Sequence, residues 1–208
     1  MNHPWEDINL NDYEKHMSLD SVFQLQTMNE IMKEQFLTYP AKSVIILGVA
    51  GGNGLEHIDA QAIEKVYGVD INKSYLKACS NRFPELQGKL ETICTDLTKD
   101  IQMLPKADLL LANLLIEYIG YGCFQKVVEQ VKPKYVSCMI QIDSDVTFVS
   151  ESPYHHVFDR LNNIHHPIQK NELTAMMEQI NYQETGQFVK KLPNGKQFVR
   201  IDYSEIIP

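Results

Sequence analysis

Residues 43–54 read Ser-Val-Ile-Ile-Leu-Gly-Val-Ala-Gly-Gly-Asn-Gly and join a short apolar run to a glycine-rich loop. The four apolar residues from Val44 to Leu47 predict a strand that is buried on both faces. After the loop, apolar residues at helical spacing predict a helix over residues 52–64. A buried strand, a loop poor in side chains and a helix N-terminus together expose backbone N–H groups to a ligand. The stretch therefore predicts a binding site for a nucleotide-type cofactor.

The length and the charge of the chain limit its class. With 208 residues the chain is long enough for one domain with a substantial core, and its hydrophobic content of 44% is ordinary for a globular protein. The formal net charge is −8, from 27 acidic and 19 basic side chains, and no basic run is longer than Lys190-Lys191. Because binding a polyanion without a basic face costs electrostatic work, we expect no nucleic-acid partner.

The sequence predicts neither a membrane span nor a secretory leader. No apolar run approaches the roughly 20 residues that cross a bilayer, and the first residues lack the basic start and apolar segment of a signal peptide. The four cysteines lie far apart in apolar surroundings, which is typical of buried thiols in a reducing compartment. We therefore expect a cytoplasmic protein without a membrane partner.

Predicted strands and helices alternate along the middle of the chain. Amphipathic helices begin near Lys73 and span Phe124 to Val131, and a later helix carries Leu173 and Met177. The chain then closes with two extended segments joined by Leu192-Pro193-Asn194-Gly195, which predicts an antiparallel hairpin. This alternation predicts an α/β fold, with a parallel sheet and helices on both of its faces. The further strands are predicted over residues 66–71, 90–94, 107–112 and 135–142.

Two segments fall outside this alternation. An amphipathic helix with apolar residues from Val22 to Phe36 is predicted before Pro40, and residues 1–17 precede it without a clear period. Residues 143–168 carry four histidines and also show little periodicity. A segment of this length inside a compact domain is usually functional or disordered.

Polar side chains follow the predicted strands at one edge of the sheet. Asp70 ends the second strand and Asp96 follows the third. Asn113 ends the fourth strand and is followed by Glu117 and Tyr118. Ligands of open α/β folds bind at this edge, and the distance of Asp70 from the glycine loop suits a carboxylate that holds a ribose. Asp70 and Asp96 fit helix N-caps as well, so both interpretations stay open.

The loop matches neither the dinucleotide fingerprint nor the P-loop. Counted from Gly48, the pattern G-x-G-x-x-G fails at its third and sixth positions, and G-x-x-x-x-G-K-[ST] does not occur. Residues 44–54, together with Asp70, Asp96 and the terminal hairpin, resemble the class I S-adenosylmethionine-dependent methyltransferases. The resemblance covers roughly residues 43–204. It implies a Rossmann-like, seven-stranded, mostly parallel sheet with an antiparallel last strand.

The resemblance also implies S-adenosylmethionine as the cofactor and suggests which positions contact it. The glycine loop matches the family's loop beside the methionine part of the cofactor. The acid at position 70 matches the residue that binds the cofactor's ribose, and positions 96 and 97 match the residues that contact its adenine. The end of the fourth strand matches the position beside the transferable methyl group. The implied cofactor-binding residues are Gly48, Ala50, Gly52, Asn53, Asp70, Ile71, Asp96, Leu97, Asn113 and Leu114.

Two positions depart from the family's pattern. Ile46 stands where the family usually has Asp or Glu, and Ala50 stands where it has the middle glycine, although Asn53 and Glu56 are near enough in sequence to hold the ligand's amino group. Both departures predict weaker cofactor binding. They leave open the alternative that the chain is a non-catalytic protein of the same fold, which binds S-adenosylmethionine or S-adenosylhomocysteine. A NAD(P)-dependent dehydrogenase is the second alternative, and a sheet without the antiparallel last strand would favour it.

The methyl acceptor is predicted to be a small molecule. The fourth strand continues as Asn113-Leu114-Leu115-Ile116, and not as the Asn/Asp-Pro-Pro-Tyr/Phe of family members that methylate exocyclic or amide nitrogens. Glu117 and Tyr118 are the candidate catalytic residues. Four histidines could act as a base or as metal ligands, or could be ordinary loop residues: His155, His156, His165 and His166. We assign no metal to them.

The remaining segments suggest how the acceptor is enclosed. Residues 1–40 are predicted to form an N-terminal helical lid on a methyltransferase domain at residues 41–208, although a helix packed on the flank of the sheet is equally compatible with residues 18–38. We expect residues 143–168 to form an acceptor-side insertion. Together with residues 1–17, it should face the polar edge of the sheet and determine the choice of acceptor.

Overall fold

A computed structural model of the chain describes residues 3–142 and 147–206. Its strands are β1 (Ser43–Leu47), β2 (Lys65–Asp70), β3 (Leu90–Cys94), β4 (Leu109–Asn113), β5 (Tyr135–Ile142), β6 (Tyr182–Lys191) and β7 (Gln197–Glu205). They form one seven-stranded sheet in the order β3-β2-β1-β4-β5-β7-β6. The first five strands pair in parallel, and β7 is inserted antiparallel between β5 and β6. The predicted fold class, a mostly parallel sheet with an antiparallel last strand, is confirmed.

Helices cover both faces of this sheet, as the alternation predicts. The described residues form α1 (Pro4–Asp7), α2 (Leu10–Ser18), α3 (Gln24–Thr38), α4 (Lys73–Arg82), α5 (Ile116–Val131) and α6 (Lys170–Gln179). On one face, Met32 of α3 and Leu76 of α4 pack with Ile46 of β1. On the other face, Phe124 of α5 and Met177 of α6 share a core with the alternate residues of β1 and β4. The two central strands are buried on both faces because apolar side chains point in both directions.

The prediction of a helix over residues 52–64 is wrong. Only one 3-10 turn forms there, Leu55–His57. Gly52 and Gly54 both have φ of +89°, a left-handed backbone that is incompatible with a right-handed helix. Helix α3 packs directly against this stretch, because Met32 occupies the space that a side chain at position 54 would need. The backbone donors of a helix N-terminus are therefore not part of this loop.

Two short helices occupy the N-terminal stretch in which the sequence shows no period. Helix α1 begins with a capping box formed by His3 and Glu6. Helix α2 begins after Asn9, whose side chain accepts a hydrogen bond from the backbone N–H of Asn11. These signals are local hydrogen bonds, so a search for apolar periodicity does not detect them. We refer to residues 3–18 as the N-terminal segment.

The long stretch after β5 is only partly regular. Residues 147–168, here called the histidine segment, contain a 3-10 helix at His155–Asn163. The first four residues of the predicted insertion, 143–146, lie outside the described residues. In the two described ranges, no helix has the length and the apolar character needed to cross a bilayer.

Candidate functional site

A pocket lies where β1, β2 and β4 end, and the N-terminal and histidine segments border it. It encloses about 1170 Å³, including the open space at its mouth. Two of the twelve residues predicted for the site are not part of its lining. The other ten line it: Gly48, Ala50, Asp70, Ile71, Asp96, Leu97, Asn113, Leu114, Glu117 and Tyr118.

The loop after β1 turns sharply at the pocket. Gly48 has φ of +70° and Ala50 has φ of +47°, which is a left-handed conformation and uncommon for a residue with a side chain. The backbone N–H of Ala50 donates a hydrogen bond to Oδ2 of Asp70 at 2.9 Å, so a side chain from the end of β2 holds the loop. Backbone strain of this kind is concentrated at ligand-binding sites.

Asp70 is held by two backbone donors. Its Oδ2 accepts from Ala50, and its Oδ1 accepts from the N–H of Asn72 at 2.8 Å. Burial raises the pKa of this carboxyl above its usual value, while the N–H donors oppose the rise. Each carboxylate oxygen has a second lone pair, so Asp70 can also accept hydrogen bonds from ligand hydroxyls. The N-cap of α4 is Asn72, so the alternative interpretation of Asp70 as a helix cap is wrong.

Gly52 and Asn53 are the two predicted residues that do not line the pocket. Gly52 lies against α4, and a side chain at this position would meet the ring of Phe83 at 2.6 Å. The side-chain oxygen of Asn53 accepts a hydrogen bond from Asn29 of α3, and a carboxylate oxygen of Glu56 accepts from the same amide. These side chains fasten the loop to α3, so the expected contacts of Asn53 and Glu56 with a ligand's amino group are not supported by their placement.

Asp96 and Leu97 lie at the end of β3 on the pocket wall. Oδ1 of Asp96 accepts hydrogen bonds from the N–H and the hydroxyl of Thr98, and Oδ2 forms an ion pair with Lys99 at 2.7 Å. Burial acts to raise the pKa of Asp96, but Lys99 and Thr98 outweigh it and hold the pKa below the usual value. Asp96 is therefore a fixed, charged acceptor next to the apolar side chain of Leu97.

Asn113 is oriented from behind by a buried polar network. Its side-chain amide exchanges two hydrogen bonds with the amide of Gln35, at 2.9 Å and 3.0 Å. Gln35 also donates to Ser137, whose hydroxyl donates to Asp202. The next residue, Leu114, has a left-handed φ of +54°. The end of β4 therefore presents a fixed and strained backbone to the pocket.

Glu117 and Tyr118 reach the pocket from the first turn of α5. Gly120 has φ of +72° and ψ of 166° and kinks the helix directly after this turn. Glu117 is only 3% exposed, and its Oε1 accepts a hydrogen bond from the backbone N–H of Gln141 at 2.9 Å. The ring of Tyr118 meets the ring of Trp5 edge to face, with centroids 5.0 Å apart.

Tyr13 and Tyr75 also line the pocket, although the sequence did not predict Tyr75 as a site residue. Their rings are 6.2 Å apart. Tyr75 is 2% exposed, and its hydroxyl has no hydrogen-bond partner among the described residues. Burial is the main cause that raises the pKa of both hydroxyls. The second cause is the charge of Asp70 for Tyr13 and the phenol of Tyr13 for Tyr75. Both hydroxyls therefore stay protonated and can donate hydrogen bonds.

The N-terminal segment and the histidine segment meet at the pocket. Asp7 forms an ion pair with Arg160 across the two segments. Nδ1 of His16 lies 2.7 Å from the hydroxyl of Ser152, and the imidazole packs on the ring of Phe158 with centroids 4.7 Å apart. The expectation that these two parts of the chain face each other at the polar edge therefore agrees with their described residues.

The four histidines singled out in the sequence have different surroundings. His165 lines the pocket, where its ring stacks on Phe148 with centroids 3.9 Å apart. The backbone N–H of His166 donates to the carbonyl of Glu117 at 2.6 Å. The rings of His155 and His156 lie outside the pocket lining, with centroids 3.7 Å apart and planes tilted by 43°. Over residues 3–142 and 147–206, no three His, Cys, Asp or Glu side chains are grouped to hold a metal ion.

The chain shares its fold with solved methyltransferases at low sequence identity. NodS from Bradyrhizobium japonicum WM9, an N-methyltransferase solved with S-adenosyl-l-homocysteine, is 10% identical with a TM-score of 0.68, over 95% of this chain and 98% of NodS. Magnesium protoporphyrin IX methyltransferase (ChlM) from Synechocystis PCC 6803, solved with bound SAH, is 11% identical with a TM-score of 0.67, over 98% of this chain and 91% of that chain. The fold is thus that of the class I methyltransferases.

The same fold is also found in a protein described by another activity. The [4+2]-cyclase SpnF is 8% identical with a TM-score of 0.65, over 88% of this chain and 82% of SpnF. No protein-family model matches the chain, and no curated protein matches it significantly in sequence. The function of this chain must therefore be argued from its own pocket.

Proposed function

We propose that this protein transfers the methyl group of S-adenosylmethionine to a small-molecule acceptor. One observation carries the proposal: a single pocket is lined by Ala50, Asp70 and Asp96, which we call its nucleoside-type half, and also by Glu117 and Tyr118. The fold neighbours NodS and ChlM, both solved with S-adenosylhomocysteine, support this choice of cofactor. ChlM is named for a porphyrin, which supports a small-molecule acceptor.

The residues of the nucleoside-type half fit this cofactor. Asp70 has lone pairs left for two ribose hydroxyls, and Leu97 offers an apolar surface beside the carboxylate of Asp96 for the adenine. The buried hydroxyl of Tyr75 lacks a partner among the described residues, as expected for a donor that a polar ligand completes. When bound, the cofactor supplies a methyl group on a positively charged sulfur, which is already an activated electrophile.

The protein then contributes alignment, exclusion of water and acceptance of a proton. The network of Gln35 fixes the end of β4, and the N-terminal segment covers the pocket. Glu117 accepts a hydrogen bond from the backbone of Gln141 and lines the pocket, which supports our proposal that its carboxylate receives a proton from the acceptor. We propose Glu117 and Tyr118 as acceptor-side residues and residues 1–40 as the cover of the site.

A calorimetric titration separates this proposal from its rivals. The protein is titrated with S-adenosylmethionine, S-adenosylhomocysteine and NAD⁺, and formation of S-adenosylhomocysteine is then followed with a panel of small acceptors. We expect binding of the first two ligands and turnover with at least one acceptor. Binding without turnover favours the non-catalytic alternative, to which Ala50 and Ile46 point. Binding of NAD⁺ in place of S-adenosylmethionine would favour a dehydrogenase and contradict the proposal.

A further inference from the structure

One buried amide joins the N-terminal segment to the end of β2. The side chain of Asn72 is only 3% exposed. Its Nδ2 donates a hydrogen bond to the carbonyl oxygen of Trp5 at 2.9 Å. Its Oδ1 accepts from the backbone N–H of Ser74 at 3.0 Å and from that of Tyr75 at 3.3 Å, as the N-cap of α4. The two ends of one side chain therefore bind two different parts of the chain.

The nitrogen of this amide also lies at the end of α1. A helix of four residues leaves the carbonyl oxygens of its last residues without partners inside the helix, so these oxygens need donors from elsewhere. Nδ2 of Asn72 is such a donor for Trp5, and the carbonyl oxygen of Ile8, the C-cap of α1, lies 3.5 Å from the same nitrogen. Asn72 thus caps the end of α1 as well as the start of α4.

The backbone of Asn72 binds the carboxylate that we propose for the ribose. Its N–H donates to Oδ1 of Asp70 at 2.8 Å, while Oδ2 of Asp70 accepts from the loop after β1. Asp70 and Trp5 both line the pocket, whereas Asn72 is not part of the lining. Asn72 therefore lies behind the wall of the pocket and connects two residues of that wall.

Two ion pairs also hold the N-terminal segment. Asp7 pairs with Arg160, and Glu14 pairs with Arg82. These four side chains are between 24% and 48% exposed, so water and salt compete with both pairs. The hydrogen bond from Asn72 joins neutral groups, and its donor is buried. Of these three polar attachments, the amide is therefore the one best shielded from solvent.

Trp5 is the residue that this attachment holds in place. Its ring lines the pocket and meets the ring of Tyr118 edge to face, with centroids 5.0 Å apart, and the ring of Tyr13 in the same way at 6.0 Å. Tyr118 is one of the two residues that we propose for the acceptor side. A displacement of Trp5 would therefore change the wall of the pocket beside the acceptor.

We propose that Asn72 is a positioning residue, which holds Trp5 over the pocket and couples closure of the N-terminal segment to ligand binding at Asp70. The coupling rests on the proposed function, because it requires the cofactor to bind at Asp70. A ligand that binds beneath the closed segment stabilises it, and by reciprocity the closed segment strengthens binding of the ligand. Loss of the amide donor should therefore expose Trp5 and weaken binding of S-adenosylhomocysteine.

Asn72→Asp and Asn72→Ser separate this role from helix capping. Asp and Ser are about as effective as Asn at an N-cap, so both variants keep the cap of α4. Neither replaces the donor, because an ionised carboxylate only accepts hydrogen bonds and serine has no atom at the position of Nδ2. Asn9→Asp and Asn9→Ser are the matched controls, since Asn9 caps α2 in the N-terminal segment, is exposed and does not line the pocket.

The fluorescence of Trp5 reports the position of the N-terminal segment. The sequence contains one tryptophan, so quenching of tryptophan emission by acrylamide measures the exposure of this residue alone. In the free protein, quenching should be roughly twofold stronger or more in both Asn72 variants than in wild type, because the open form becomes more populated. S-adenosylhomocysteine should reduce the quenching in wild type. Its affinity, measured by calorimetry, should be roughly three- to tenfold weaker in the Asn72 variants. The Asn9 variants should resemble wild type in both measurements.

Three outcomes overturn the inference, each measured on variants that thermal unfolding shows to be folded. Quenching at the wild-type level in both Asn72 variants would show that Asn72 only caps α4. Equal increases in the Asn9 and Asn72 variants would show that the donor to Trp5 has no special role. Stronger quenching with unchanged affinity for S-adenosylhomocysteine would contradict the coupling. A wild-type protein that does not bind S-adenosylhomocysteine would instead contradict the proposed function, and quenching in the free variants would still decide whether Asn72 holds Trp5.

Discussion

Tyr75 buries a hydroxyl in the wall of the pocket, and no described residue forms a hydrogen bond with it. Leaving such a group unsatisfied costs roughly 1–3 kcal/mol in a folded protein. The pKa of this phenol is raised by burial, so it is a hydrogen-bond donor at every physiological pH. A polar ligand with an acceptor atom would remove this penalty, which makes Tyr75 a candidate contact of the cofactor.

Tyr75→Phe should separate ligand binding from stability. Removing an unsatisfied hydroxyl should leave the free energy of unfolding of the free protein equal or up to about 1 kcal/mol higher. The affinity for S-adenosylmethionine, measured by calorimetry, should fall about five- to tenfold. Tyr182→Phe is the control, because that hydroxyl donates to the carbonyl of Pro133 at 2.7 Å away from the pocket. It should lower stability and leave affinity unchanged, and the opposite pattern would show that Tyr75 is purely structural.

His16 gives the stability of the covered pocket a pH dependence. Burial, followed by the charge of His155, lowers the pKa of His16 to about 4, against an ordinary value of 6.5. The unfolded chain therefore binds more protons between pH 6.5 and 4, so stability is full above this window and is lost as the pH falls through it. The comparison of wild type with His16→Gln isolates the effect. Between pH 7 and pH 5, the free energy of unfolding of wild type should fall by about 1–2 kcal/mol more than that of the variant. A difference between the two proteins that does not change with pH would contradict this assignment.

Sequence reasoning located the charged residues of the site but missed several of the others. Asp70 and Asp96 were predictable because the ends of parallel strands converge on one edge. Tyr75 was not, since a tyrosine on the buried side of an amphipathic helix resembles a core residue in sequence. Asn53 was predicted to contact the ligand, yet its side chain accepts a hydrogen bond from Asn29 of α3. The local sequence around Asn53 does not indicate this long-range contact.

At the scale of elements, the error over residues 52–64 has a local cause. The apolar spacing there fits a helix, but glycines at positions 52 and 54 adopt left-handed backbone angles, and packing against α3 and α4 selects this alternative. Periodicity measures only how a segment buries its own side chains. Periodicity does not show that another helix, here α3, packs at the place where a helix over residues 52–64 was predicted. Helices α1 and α2 begin at hydrogen-bonded caps, which apolar periodicity does not reveal.

The contacts that hold the N-terminal segment suggest that it can open. Asp7 and Arg160 pair between side chains that are 40% and 48% exposed, and exposed ion pairs contribute roughly 0–1 kcal/mol. Arg82 binds Glu14 at a site that is also partly exposed. In the apolar cluster between this segment and the histidine segment, only three of the described side chains are fully buried, those of Ile8, Phe158 and Leu161.

Hydrogen exchange should detect this opening. We expect the amides of α2 to exchange measurably in the free protein and to become at least tenfold slower with S-adenosylhomocysteine bound, because a ligand beneath the segment stabilises the closed form. Amides of β4 serve as the internal control and should exchange slowly in both states. Equal exchange of α2 with and without the ligand would contradict a role as a cover.

For the whole molecule, the sheet was predictable and the function of its pocket was not. Strands and helices that alternate along the chain, followed by a hairpin, leave few arrangements of the sheet, and the observed order is one of them. The enclosure of the pocket depends on residues more than a hundred positions apart, such as His16 and Ser152. The neighbour SpnF shows that the fold accompanies more than one activity, so the assignment depends on the binding residues of this chain.

Titration of Asp70→Ala with S-adenosylhomocysteine tests whether this pocket binds the cofactor through Asp70. If Asp70 holds the ribose, the variant loses hydrogen bonds to a charged acceptor that are worth roughly 1.5–3 kcal/mol each, so affinity should fall at least tenfold. Asp20→Ala, at an exposed carboxylate, is the matched control and should bind like wild type. We expect one binding site in wild type and in the control, and at least tenfold weaker binding in folded Asp70→Ala. Equal affinity in all three folded proteins, or no binding by wild type, would contradict it.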